Sequence, residues 1–189
     1  MKRFKSRRRE GAYAVFEQSE ARLVANLAAQ VAELLGEGTP DVDRAGQDPL
    51  EAMLKLDGPV NEPDDPVLQR LLPPGYRDDD EAAADFRRFT ERGLREAKIT
   101  NARLVIASLR DGGMADDDDD SVEVDLDAAG VQAWLRTLTD VRLALATRLG
   151  IDDDEHRWDR DPDNPAAAMH DVYDWLGFVQ ETLVHAIDR

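Results

Sequence analysis

Near its C-terminal end the chain carries Val172, Trp175, Leu176, Val179, Leu183 and Ile187 at helical spacing. This pattern predicts a last helix, from about Pro165 to Ala186, with one apolar face that must be buried against the rest of the chain. Tyr173, Trp175 and Phe178 cluster there although only 6% of residues are aromatic. Three further stretches repeat the pattern. Ser19 reads as the N-cap of a helix through Leu35, with Leu23, Val24, Leu27, Val31 and Leu34 facing inward and Gly36 ending it. Asp127 caps another, in which Val131, Trp134, Leu135, Leu138, Val141, Leu145 and Leu149 face inward. Between them, from about Asp80 to Leu109, the residues Phe86, Phe89, Leu94, Ala97, Asn101, Leu104 and Val105 track a helical face, with Gly93 marking a bend or a break.

Strand signals are fewer. Phe4 starts an alternating stretch, Arg9-Glu10-Gly11 offers a turn, and Ala12 to Phe16 reads as a strand with Tyr13 and Val15 on one face. Val122-Glu123-Val124-Asp125-Leu126 alternates apolar and acidic, as a half-buried strand does, and can join the hairpin as a third strand. Asp48-Pro49 and Asp65-Pro66 each open a short helix, since proline at the first turn sacrifices no helical hydrogen bond. The predicted fold class is mainly α (α+β): a helical bundle with a small antiparallel β-sheet formed by an N-terminal hairpin and one strand near residues 122–126. A chain of 189 residues fits a single domain, 1–189, with acidic loops at about 111–121 and 152–165.

Charge and cysteine content limit the chemistry. There is no cysteine, which removes disulfides, thiolate metal sites and any sensing thiol. Met53, Met114 and Met169 remain oxidisable, but methionine is ordinarily a core filler. Net charge is −17, yet six of the 24 basic residues, Lys2, Arg3, Lys5, Arg7, Arg8 and Arg9, crowd the N-terminal hairpin. The acidic remainder repels nucleic acid, so DNA contact would rest on that hairpin alone. Its other reading is a charged strand edge that blocks aggregation or binds the molecule's own acidic loops; the same six residues are the candidate contact for nucleic acid or a partner. No run approaches the roughly 20 apolar residues of a membrane span, and no apolar stretch follows the basic start as in a secretory signal. The expectation is a cytoplasmic protein.

No catalytic constellation stands out. The serines lie in no nucleophile elbow, the three histidines are scattered, and there is no glycine-rich phosphate loop. The Asp116–Asp120 run lacks glycine at the sixth position and glutamate at the twelfth of an EF-hand loop. His170 and Asp174 are four apart on one helix but have no evident third ligand. No catalytic, metal or cofactor residue is assigned, and the chain reads as no enzyme. Polar residues within apolar helices instead suggest a core network of Asn101, Arg103, Arg142, Asp174 and Glu181, in which Arg142 pairs with Asp140, Asp174 or Glu181.

The Ala97 to Leu109 and Tyr173 to Ile187 segments resemble an actinobacterial domain family of AosR-like oxidative-stress transcriptional regulators. Val15-Phe16, Glu20-Ala21-Arg22-Leu23, Asp48-Pro49-Leu50, Trp134-Leu135 and Asp140 to Leu145 follow in the same order, so the resemblance covers most of the chain. It implies a non-enzymatic regulator of transcription acting by protein contact, with RNA polymerase or a sigma factor as partner. Cysteine-based redox sensing is the part of that picture this sequence contradicts. The alternatives are a direct DNA-binding protein using the basic hairpin, and a homodimer formed through surplus apolar helix surface.

Overall fold

A computed structural model describes residues 1–7, 10–37, 61–76, 78–115, 121–151 and 167–188. In chain order the elements are β1 (Lys2–Arg7), β2 (Gly11–Phe16), α1 (Gln18–Gly36), α2 (Pro66–Leu71), α3 (Asp80–Asp111), β3 (Val122–Leu126), α4 (Ala128–Leu149) and α5 (Ala167–Ile187). The expected fold class is the one formed: helices with one antiparallel sheet of order β1-β2-β3. The expected helix after Asp48 and the loop at 152–165 lie outside the described residues, as do residues 116–120 of the loop at 111–121.

Alternation decides which side of the sheet is buried. Ala12 pairs with Leu126, Ala14 with Val124 and Phe16 with Val122, and all six are buried on the inner face. Tyr13 opposite Asp125 and Val15 opposite Glu123 form the outer face, as the expected grouping of Tyr13 with Val15 requires. β1 departs from this regularity. Lys2 pairs with Val15 but Lys5 with Tyr13, so three steps on β1 match two on β2 and a bulge falls at Arg3-Phe4.

Phe4 points into the core, where its ring lies 5.9 Å from that of Phe16 and 5.7 Å from that of Trp134. Trp134 is fully buried, and its indole N–H donates to Ser108 Oγ at 2.9 Å, so its one polar atom is satisfied. One buried cluster joins these rings to Leu35 of α1, Leu71 of α2, Leu109 of α3, Leu138 of α4 and Leu183 of α5. α1 packs on α3, α3 on α4, and α4 on α5, which in turn lies against β1.

Caps set the helix ends. Asp65, Asp79 and Asp127 accept from Val67, Ala82 and Gly130 N–H groups at 2.7, 2.9 and 2.7 Å. The start of α1 corrects the expected cap. Glu17 holds that position and Ser19 lies in the first turn, because Glu20 reaches back to the Glu17 N–H at 2.8 Å. Helix α3 runs unbroken through Gly93, correcting the expected bend or break. Its C-terminal turn meets the sheet at Gly112, whose carbonyl accepts from Glu123 N–H at 2.9 Å.

The buried face of α3 also differs from the expected one. Phe89, Leu94 and Leu104 are exposed, whereas Glu91, Arg95, Ala102, Val105 and Leu109 are buried. The inward stripe contains charges because those charges are paired. Arg95 donates to Glu91 Oε1 from Nε at 2.9 Å and from Nη2 at 2.8 Å. Its Nη1 donates to the carbonyls of Leu35 at 2.9 Å and Glu37 at 3.4 Å. One guanidinium therefore neutralises a buried carboxylate and satisfies carbonyls at the end of α1, where no basic residue occupies the last turn.

Candidate partner-binding site

The basic residues of the first strand are placed by the pairing just described. Lys2, Arg3, Lys5 and Arg7 are exposed; Arg8 and Arg9 lie outside the described residues. Phe4, which starts the alternating stretch, is buried between Arg3 and Lys5. The outer face of the sheet is sorted by charge across its strands. Lys2, Lys5 and Arg7 of β1 stand beside Val15, Tyr13 and Gly11 of β2, and beyond them come Glu123 and Asp125 of β3. Neighbouring strands lie about 4.8 Å apart, so the cationic and anionic columns are roughly 10 Å apart.

Arg7 spans that gap. Its guanidinium lies 4.7 Å from the centre of the Tyr13 ring, and Nη2 is 3.6 Å from Asp125 Oδ2. Partial desolvation and the neighbouring Glu123 raise the Tyr13 phenol above its ordinary pKa, with Arg7 pulling the other way. Tyr13 is therefore a neutral hydroxyl at physiological pH. Arg3 turns to the other side of β1, where the bulge sets its guanidinium 5.5 Å from the centre of the Phe178 ring on α5. Among the described residues no carboxylate pairs with Lys2, Arg3 or Lys5. Among the described residues, Arg7 is thus the one basic residue of the strand with a carboxylate partner.

A groove of about 670 Å³ lies between β1 and α5. Arg3, Phe4, Lys5 and Ser6 form its strand wall; Phe178, Glu181, Thr182, His185 and Ala186 form its helix wall. Among the described residues no backbone hydrogen bond joins β1 to any element but β2. The opposite edge of the sheet is engaged at Glu123 by the Gly112 turn.

The five residues expected to form a core network are not brought together. Arg103, Asp174 and Glu181 are exposed, and Asn101 is half-buried on α3. Arg142 takes neutral partners: Nη1 donates to Gln180 Oε1 at 2.9 Å, and Nη2 lies 3.3 Å from Tyr173 Oη, with the guanidinium 4.8 Å from the Tyr173 ring centre. Gln180 passes the chain on, donating from Nε2 to Thr139 Oγ1 at 2.8 Å. The expected partner Asp140 pairs with Lys98 of α3, Nζ to Oδ1 2.5 Å. Burial raises the Asp140 pKa, and the hydrogen bond from Lys98 and its charge oppose the rise.

This arrangement joins α3, α4 and α5. Its members hold helices together, as the Glu91–Arg95 pair does for α1 and α3. That pair was missed from the sequence, although its four-residue spacing in register with Ala102, Val105 and Leu109 was the available signal. Among the described residues no three His, Asp or Glu side chains are grouped to hold a metal ion, and no helix is long and apolar enough to cross a membrane.

Comparison with known proteins sets this geometry in context. The model of the family described as Domain of unknown function (DUF2017) matches residues 1–187. The chain is 33% identical over 178 residues to the oxidative stress regulator AosR of Mycobacterium tuberculosis, covering 87% of this chain and 77% of that protein. The AosR protein of Mycobacterium bovis matches to the same extent. No solved structure matches.

Proposed function

The chain belongs to the DUF2017 family, and on that premise we propose that it is a non-enzymatic regulator that acts on transcription through protein–protein contact. RNA polymerase or a sigma factor is the partner this reading names. The observation that carries it is the extent of the likeness to proteins named as oxidative stress regulators, which takes in 87% of this chain. What is shared is the folded body rather than a terminal segment. A strongly acidic surface attracts at long range a partner that is basic overall, and the cationic first strand is a local exception on that surface.

The experiment is direct binding of the purified chain to the host's RNA polymerase, as core enzyme and with each sigma factor, followed by size-exclusion chromatography at low and moderate salt. A stable stoichiometric complex is the expected result; co-elution with none of them, even at low salt, overturns the reading. With no cysteine in the chain, its own contribution to binding is expected to be the same in dithiothreitol and after a mild disulfide-forming oxidant.

Direct DNA binding is the second reading, favoured by the exposure of Lys2, Arg3, Lys5 and Arg7 on one strand. Glu123 and Asp125 share that sheet face, so a duplex lying flat on it would bring phosphates against carboxylates. The protein reading avoids this repulsion, because a narrow polypeptide can follow the cationic column alone.

A further inference from the structure

We infer that the groove between β1 and α5 receives an extended acidic segment of a protein partner, which adds to the free edge of β1 as a fourth strand. The inference rests on the protein-contact reading above and gives it a site and a partner chemistry.

Three independent observations converge on this groove. The first is the backbone. An edge strand presents a row of N–H and C=O groups on its outer side, and among the described residues none of those on β1 is engaged by another backbone segment. The second is charge. Lys2, Arg3 and Lys5 have no carboxylate partner among the described residues, in a protein of net charge −17. The third is space: a groove of about 670 Å³ lies between β1 and α5, lined by Arg3 to Ser6 on the strand and by Phe178, Thr182 and Ala186 on the helix.

The alternation of a strand specifies the ligand further. An added strand would turn every second side chain toward α5, where Phe178 and Ala186 favour apolar groups. The intervening side chains would stand on the outer face beside Lys2 and Lys5, where carboxylates fit. Glu181 on the helix wall disfavours an acid on the inward positions beside it and reinforces that alternation. The fitting sequence is therefore acidic on its outward positions and mainly apolar on its inward ones, with a place for one inward acid against Arg3. A second copy of this chain does not fit by the same edge, because its own Lys2, Arg3 and Lys5 would be brought against these. The duplex of the DNA reading is far wider than the groove.

The test is selection from a displayed random library of twelve-residue peptides against the full chain, with a labelled DNA duplex titrated in parallel. Enrichment of sequences that alternate acidic with mainly apolar positions is expected. A selected peptide is expected to lose at least about tenfold in affinity to the variant Arg3→Glu/Lys5→Glu. It is also expected to lose about as much when its own alternate amides are N-methylated, which removes strand hydrogen bonds without altering charge or the protein's fold. Selected peptides that lack the alternation, or that are unaffected by both changes, overturn the edge-strand site while leaving protein contact standing. Duplex binding that the same double variant abolishes, with no peptide enriched, overturns both readings.

Discussion

Arg95 and Glu91, one turn apart on α3, form a doubly hydrogen-bonded ion pair inside the protein, and the same guanidinium closes the end of α1 through the Leu35 carbonyl. Removing one member leaves the other charged and buried. Arg95→Ala is expected to destabilise the protein by about 3–5 kcal/mol, measured by urea denaturation. Arg95→Met combined with Glu91→Leu should recover a large part of that loss, because no buried charge is then left unpaired. Equal losses in the two variants would show that the bonds to α1, rather than the ion pair, dominate.

Gly93 within α3 and Gly112 just beyond its end should respond in opposite directions. A Cβ on Gly112 would lie 2.4 Å from the Glu123 carbonyl oxygen, whereas one on Gly93 would meet nothing within 4 Å. Gly112→Ala is expected to cost about 1–3 kcal/mol, as forced overpacking does, and to speed amide exchange at Glu123. Gly93→Ala is expected to stabilise by about 0.5–1 kcal/mol, by lowering the entropy of the unfolded chain and favouring helix. Thermal unfolding of the two variants beside the parent checks both signs.

Asp140 makes stability depend on pH in a defined direction. Burial raises its carboxyl pKa in the folded protein, against the pull of Lys98. The folded state therefore holds this proton more tightly than the unfolded state does. Its contribution is fully present below the unfolded pKa and is lost as pH rises through the raised folded value. The stability difference between the parent and Asp140→Asn is expected to shift against the parent as pH rises from about 4 toward neutrality. Taking the difference removes what the other carboxylates contribute equally to both proteins. A difference that is flat, or moves the other way, would contradict the assignment.

Arg142 and Gln180 link α4 to α5 through one hydrogen bond of 2.9 Å. A double-mutant cycle with Arg142→Leu and Gln180→Leu is expected to give a coupling of about 0.5–1.5 kcal/mol. Coupling near zero would mean that stacking on Tyr173 holds Arg142 without Gln180.

These placements show which physical signals a sequence carries openly. The stripe of α4 was legible because Val131, Trp134, Leu138 and Val141 are apolar and all buried. β3 was legible from strict alternation, and the caps Asp65 and Asp127 from residue type next to a helical pattern. The inward face of α3 was hidden because Glu91, Arg95 and Lys98 occupy it, and charge ordinarily marks a surface. Only partners on α1 and α4, distant in sequence, make their burial tolerable. Arg142 was sought among carboxylates and found its partners in Gln180 and Tyr173, because helix rotation, not formal charge, decides which side chains meet. The basic strand was evident as a charge cluster. Its place at a free edge beside a groove depends on strand order and on the Arg3-Phe4 bulge, neither of which a residue pattern prints.

The two borders of the sheet are treated differently, and this bears on self-association. The turn at Gly112 occupies the β3 border at Glu123, while the β1 border has no such tie among the described residues. A sheet open on both sides can be lengthened indefinitely, each newcomer offering a fresh border to the next, which is how fibres grow. With the β3 border tied at Glu123, two copies of this sheet are hindered from joining border to border in a repeating array. The border proposed to receive a partner is thus the one without such a tie among the described residues, and a complex through it would leave the tie at Glu123 in place.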